Sequence, residues 1–144
     1  MSEIVVHAAP EHADLIAAVA DALQRAMAAL GVADTAEVAL VFGDDADLQR
    51  LNREFGDADA PTDVLAFPAR TLPGCPETPH LGDIVISVPY AARSAQAAGQ
   101  PLQAELELLA VHGLLHLLGH EDDTDAGAAA MRALETRLGV RPGR

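Results

Sequence analysis

The chain has no lysine, no tryptophan and a single cysteine, and it has only three phenylalanines and one tyrosine. The single cysteine, Cys75, excludes an internal disulfide and fits a reducing compartment. It lies in the stretch PGCPETP, where a loop residue is favoured over a nucleophile. Because aromatic side chains are so few, a core must be built from leucine, valine, isoleucine and alanine.

Long apolar runs are also missing. No window reaches eighteen uninterrupted apolar residues, and the N-terminus lacks a basic segment followed by an apolar one. We therefore expect a soluble, cytoplasmic protein without a membrane partner. A length of 144 residues predicts a single domain that spans residues 1–144. A domain of this size can bury a core without disulfides.

Positive charge is scarce. Nine arginines face twenty-two acidic residues, for a formal net charge of −13. Nucleic-acid binding usually needs a basic footprint, so two accounts stay open. In the first account, positive charge is concentrated locally, at a metal and a few arginines that line a cleft. In the second, the protein works mainly through protein partners. The acidic residues do not form one block, which favours solvated faces over an acidic tail.

The hydrophobic pattern alternates between the strand period and the helix period. Four strands are predicted, at residues 3–8, 36–42, 62–67 and 82–88. Five helices are predicted, at about residues 15–30, 45–55, 90–99 and 102–118, with the last one carrying residues 131, 134 and 138. This order predicts one α/β-type domain.

The stretch VHGLLHLLGHEDD, residues 111–123, has the spacing of a metal site. His112 and His116 are four residues apart and therefore project from one face of a helix. Gly119 favours the left-handed conformation that ends helices, so the chain can return with a third ligand. In this register the third ligand is Asp122. Two imidazoles and one carboxylate leave a vertex for water, as in catalytic zinc sites.

The residues allow two alternatives to this ligand set. Both histidines could be ordinary core residues, but their ring nitrogens would then lie among leucines. Each buried nitrogen without a hydrogen-bond partner would destabilise the fold by about 1–3 kcal/mol. The pattern therefore favours a metal. His120 is the alternative third ligand, and a helix break at Gly119 would turn it away from the other two rings.

Three segments resemble the YbeY family of bacterial rRNA maturation endoribonucleases. They are LNREFGDADAPTDVLAFP, LGDIVIS and the histidine stretch, in this order and spacing, and the resemblance covers most of the chain from Ala36 onward. It implies an α+β single domain with a mixed four-stranded sheet, about five helices and a zincin-like metal helix. It also implies one zinc ion per chain, held in the family by three histidines. The implied activity is cleavage of single-stranded RNA at the 3′ end of small-subunit rRNA, with a part in ribosome quality control. The implied partners are this RNA and ribosome-associated proteins.

The metal ligands are the first point at which the chain departs from the family pattern. The family's first two histidines fall on His112 and His116, but its third falls on Asp122. We therefore predict His112, His116 and Asp122 as the metal ligands, with no catalytic side chain assigned. An anionic ligand leaves the metal unit with a net charge of about +1, so it should acidify water less than three histidines do.

A missing arginine is the second departure. Gly56 stands where the family usually has an arginine that could clamp a phosphate. Arg53, or Arg50 one turn earlier, could replace it. A third change, Ala66 in place of the usual serine, removes a hydroxyl group.

Three function classes therefore compete. The leading one is a metal-dependent endoribonuclease that hydrolyses phosphodiester bonds. The second is a metalloprotease, but zincins place a glutamate directly after the first histidine and this chain has Gly113 there. The third is a non-catalytic, metal-stabilised ribosome assembly factor, to which the loss of the arginine and the third histidine gives weight.

Overall fold

The computed structural model describes residues 3–8, 12–56, 58–69 and 80–140. Cys75, with the proline-rich segment around it, and Asp57 lie outside these residues. The described part contains four strands and five helices, in this order: β1 Glu3–His7, α1 Ala13–Ala29, β2 Glu37–Gly43, α2 Asp45–Phe55, β3 Val64–Pro68, β4 His80–Ser87, α3 Val88–Ala98, α4 Leu102–Leu117 and α5 Asp125–Arg137.

The four strands form one mixed sheet in the order β1-β2-β4-β3. β1 pairs with β2 in parallel, and β2 pairs with β4 in parallel. β3 pairs with β4 in the antiparallel direction and lies at the edge. The predicted α+β domain with a mixed four-stranded sheet and five helices is confirmed for the described part of the chain.

The main core lies between the sheet and the helices α1, α3 and α4. Alternate residues of β2 and β4 face it, among them Leu40, Ile84 and Ile86, each fully buried. α4 packs against α1, α3, α5 and the two strands β3 and β4. Its leucines are buried on most sides, as their distribution in the sequence predicts. Each buried leucine stabilises the fold by about 1.5–3 kcal/mol. The helix that carries the histidines is therefore firmly held.

Local sequence explains most of the helix ends. α2 begins after Asp44, whose side chain accepts a hydrogen bond from the Asp47 backbone N–H at 2.9 Å. The Asp47 side chain in turn accepts a hydrogen bond from the Asp44 backbone N–H at 3.0 Å, which completes a capping box. α3 starts at Val88, so the prediction that it follows Pro89 is wrong by two residues. Proline is accepted in the first turn because no N–H is needed there.

Boundaries of all four strands also differ from the prediction, by one or two residues. β3 begins at Val64 instead of Thr62, and β4 begins at His80 instead of Gly82. Among the residues described, none of the helices has the length and apolar character needed to cross a bilayer.

Candidate metal centre

His112 and His116 lie one turn apart on α4. Their Nε2 atoms are 3.2 Å apart, and the ring planes are nearly perpendicular at 84°. The two side chains are mostly buried, with 21% and 24% of their surface exposed. The spacing of four residues therefore brings the two rings together, as predicted.

α4 ends directly after these histidines. Gly119 has φ +98°, in the left-handed region, as its position in the sequence predicts. The His120 N–H bonds to the Leu115 carbonyl and the Gly119 N–H to the His116 carbonyl, both at 3.0 Å. These two bonds form the Schellman motif that closes a helix. The motif reverses the chain, and the following residues carry Asp122 back towards the two rings.

The side chains of His112, His116 and Asp122 converge on one point. The Asp122 Oδ2 atom lies 3.4 Å from Nε2 of His112 and 3.8 Å from Nε2 of His116. Four ligands at about 2.0–2.2 Å from a zinc ion lie about 3.3–3.6 Å apart in a tetrahedron. The three distances between donor atoms come close to this value, so the donor set fits a zinc-sized ion. It is also the one group of three potential ligands found among the described residues.

Hydrogen bonds at the outer ring nitrogens fix the protonation pattern. Nδ1 of His112 lies 2.9 Å from Oε2 of Glu135, and Nδ1 of His116 lies 2.9 Å from the His120 carbonyl oxygen. A carbonyl or carboxylate oxygen accepts only, so both Nδ1 atoms must carry hydrogen. In the neutral rings both Nε2 lone pairs then point inwards beside the Asp122 carboxylate. Three acceptors at this distance repel one another, and a cation between them removes the repulsion.

Nearby carboxylates dominate the electrostatics of His112. Burial by itself lowers the pKa of His112, but the hydrogen bond and charge of Glu135, with smaller effects from Asp122 and Asp63, raise the pKa above its ordinary value. The surroundings of the ring therefore favour a positive charge. Asp122 is about half exposed, so the centre is accessible from solvent.

The structure places His120 outside the group of converging donors. Its ring is not part of the three-residue cluster, and its backbone carbonyl holds the His116 ring instead. Glu135 is the site residue that the sequence reasoning missed. It was hidden in the apolar stripe of α5, four residues after the buried Met131 and three before Leu138. A glutamate at a core position of an amphipathic helix was the available signal.

Gly113, between the two histidines, has a packing role. A Cβ atom at this position would lie 2.8 Å from Cγ2 of Ile84 on β4. The glycine therefore lets α4 lie directly against the sheet. The zincin general base occupies the equivalent position in sequence, but here a glutamate has no room.

Gly56 and the two nearby arginines lie at the C-terminal part of α2. A side chain at Gly56 would collide with Asn52, since its Cβ would lie 2.9 Å from the Asn52 backbone oxygen. Arg50 forms a half-exposed ion pair with Asp47 at 3.7 Å. Arg53 is exposed and forms no ion pair with any residue that the structure describes. Of the two candidates, Arg53 has the freer charge.

Comparisons with known proteins find a family whose members resemble this chain over most of its length. The family profile described as Endoribonuclease YbeY matches residues 6–141. The chain is 49% identical over 138 residues to Endoribonuclease YbeY of Moorella thermoacetica, covering 90% of this chain and 87% of that protein. It is 44% identical over 120 residues to Endoribonuclease YbeY of Pelotomaculum thermopropionicum, covering 81% and 79%.

A solved structure shares the fold. The solution structure of TM1509 from Thermotoga maritima matches with a TM-score of 0.58 at 19% identity, covering 96% of this chain and 86% of that one. At this identity the likeness concerns the fold alone.

Proposed function

The chain belongs to the YbeY family of endoribonucleases, and on that premise we propose that it is a zinc-dependent endoribonuclease. Its proposed substrate is single-stranded RNA at the 3′ end of small-subunit rRNA. The observation that carries the metal dependence is the convergence of His112, His116 and Asp122, with both outer ring nitrogens already committed as donors. Neither ring needs to change its tautomer before it accepts an ion.

Each residue of the centre has a distinct task in this proposal. His112 and His116 supply neutral nitrogen donors, and Asp122 supplies an oxygen donor from the loop after Gly119. Zinc bound there would supply Lewis-acid chemistry, polarising a phosphodiester oxygen, activating water, or both. Because Asp122 is anionic, the bound centre carries less positive charge than a three-histidine site. We therefore expect that zinc bound in this centre lowers the pKa of a bound water less than zinc in a three-histidine site does, while hydrolysis is retained.

Binding of RNA must overcome a formal net charge of −13. Several of the described arginines are paired with carboxylates: Arg25 with Asp21, Arg50 with Asp47, and Arg93 with Asp45. Arg53 makes no such pair among the described residues, so it is the better candidate for a phosphate contact on α2. With few arginines engaged, affinity should depend on the metal and on few phosphate contacts, so salt should weaken binding only modestly.

The two other function classes are not favoured. A metalloprotease of the zincin type needs a glutamate where Gly113 packs against Ile84. A purely structural metal would fit a closed site, whereas Asp122 is about half exposed and three ligands leave a vertex open.

The experiment that tests the proposal is a cleavage assay on purified protein. A labelled single-stranded RNA and the same RNA annealed to its complement are incubated with protein, with protein and EDTA, and with EDTA-treated protein to which zinc has been restored. We expect cleavage of the single strand, loss of cleavage with EDTA and recovery with zinc. The duplex should be resistant.

His116→Ala serves as the inactive control, and His120→Ala, altered on the same helix end, as the matched active one. We expect His116→Ala to give background cleavage and His120→Ala to cleave like the unmodified protein. Cleavage by His116→Ala equal to that of the unmodified protein, or cleavage that EDTA does not reduce, would contradict the proposal. Either result would assign the cleavage to a contaminating nuclease.

A further inference from the structure

Glu135 is a buried carboxylate. It lies on α5, has no exposed surface as a whole residue, and its side chain is 1% exposed. Removing a carboxylate from water is costly unless hydrogen bonds or opposite charge compensate. One carboxylate oxygen lies 2.9 Å from Nδ1 of His112, across the interface between α5 and α4. This contact gives the buried charge a partner at the metal centre.

The two histidine ligands are held in different ways. His116 is held by a backbone carbonyl, that of His120, which the helix-ending motif fixes in place. His112 is held by a side chain from another helix. A carboxylate that accepts from Nδ1–H leaves the Nε2 lone pair free and fixes the direction of the ring. Its negative charge also makes Nε2 a stronger donor to a metal.

We propose that Glu135 is a positioning residue of the metal centre. Its carboxylate holds His112 in the Nδ1–H tautomer, directs Nε2 towards His116 and Asp122, and raises the basicity of that nitrogen, so the site exists before an ion binds. The inference rests on the metal site of the proposed function. It adds a residue on α5 that takes no part in ligation.

A merely structural role for Glu135 would be to join α5 to α4. Such a role predicts lower stability on substitution but no change in the histidine tautomer and no selective change in metal affinity. The two roles can therefore be separated by measuring tautomer and affinity beside stability.

The first measurement uses the unmodified, metal-free protein labelled with ¹⁵N-histidine. Nitrogen shifts and couplings to ring protons report which nitrogen carries hydrogen. The His112 signals are assigned by their absence in His112→Gln. We expect His112 in the Nδ1–H form, whereas an Nε2–H form would overturn the proposal. No Glu135 variant has to fold for this result.

The second measurement is zinc affinity, by competition with a chromophoric chelator. Glu135→Leu removes both charge and acceptor and should weaken zinc binding about 10–100-fold. Glu135→Gln keeps an acceptor but loses the charge, so its affinity should fall by less, with His112 still in the Nδ1–H form. If Glu135→Leu fails to fold, Glu135→Gln decides. Affinity equal to that of the unmodified protein in either folded variant would overturn the proposal.

Glu105 provides a matched control. It is also a buried glutamate, lies on α4 two turns before His112, and accepts a hydrogen bond from Gln100 at 2.7 Å. Glu105→Gln should lower stability but leave zinc affinity and the His112 tautomer unchanged. An equal loss of affinity in Glu105→Gln would assign the effect to general destabilisation and overturn the proposal. None of these measurements uses RNA, so the role of Glu135 is decided separately from RNA cleavage.

Discussion

Among the residues that the structure describes, two clusters that combine histidine with carboxylates can be compared, and one of them has the geometry of a metal site. In the first, His112 and His116 turn Nε2 towards Asp122. In the second, at the beginning of β4, the single ring of His80 lies between two carboxylates. Its Nδ1 is 3.2 Å from Oε1 of Glu37, and its Nε2 is 3.0 Å from Oδ1 of Asp83.

The difference between the two clusters lies in the direction of the donor atoms. At His80 each carboxylate faces a different ring nitrogen, so the donors diverge and cannot share one ion. At His112 and His116 the outer nitrogens are bound by Glu135 and a backbone carbonyl, which leaves the inner ones free to converge. A metal site is therefore defined by the partners of its ligands as much as by the ligands themselves.

The sharpest test of this comparison is metal content after substitution. We expect about one zinc-like ion per chain in the unmodified protein, and loss of that ion in His116→Ala and Asp122→Ala, because two remaining ligands bind too weakly. His120→Ala should retain it, since the ring of His120 lies outside the cluster and alanine keeps the carbonyl that holds His116. Elemental analysis after gel filtration measures the ratio.

The opposite pattern would reassign the third ligand. Retention of the ion by Asp122→Ala together with its loss in His120→Ala would make His120 the ligand.

The sequence was sufficient to predict the approximate position of every described element, because hydrophobic period and turn residues are local signals. The α+β class with its mixed sheet was implied by the family resemblance and not by these signals. The sequence was also sufficient to predict that Gly119 ends α4, because this role depends on the backbone conformation of the glycine itself. The two residues by which α3 was misplaced reflect a local ambiguity, since Pro89 can end a strand or occupy the first turn of a helix.

What the sequence could not reveal depends on contacts between distant elements. Glu135 meets His112 only after α5 packs against α4, and no local pattern reports such a pair. The crowding of Gly56 by Asn52 is likewise a property of the folded turn. The ligand set stays a prediction, which the converging geometry supports and metal analysis will test.

The second prediction concerns the support under the converging cluster. Gly113→Ala adds a Cβ atom 2.8 Å from Cγ2 and 3.3 Å from Cγ1 of Ile84. Alanine favours a helix by about 1 kcal/mol over glycine, but overpacking of this kind costs about 1–3 kcal/mol. Because Cγ2 is attached directly to the Cβ atom of Ile84 and cannot move far, we expect net destabilisation in urea unfolding, and weaker zinc binding as α4 shifts.

A double-mutant cycle separates this clash from other effects. In an Ile84→Ala background the crowding atoms are gone, so Gly113→Ala should no longer be destabilising there. If its cost is the same in both backgrounds, contact with Ile84 is not the cause.

The smallest effect is expected at the diverging cluster. The side chains of His80, Glu37 and Asp83 are 28%, 37% and 50% exposed, so water still solvates both carboxylates after the ring is removed. Ion pairs at such partly exposed positions contribute about 1 kcal/mol or less. We therefore expect His80→Ala to lower the free energy of unfolding by about that amount and to leave the metal content unchanged, as urea titration and elemental analysis will measure. Loss of the ion in folded His80→Ala protein would mean that diverging donors also take part in metal binding. We do not expect this result, because two carboxylates on opposite sides of one ring cannot meet at a single ion without rearrangement of β4. If it were observed, the distinction drawn from donor direction would be wrong.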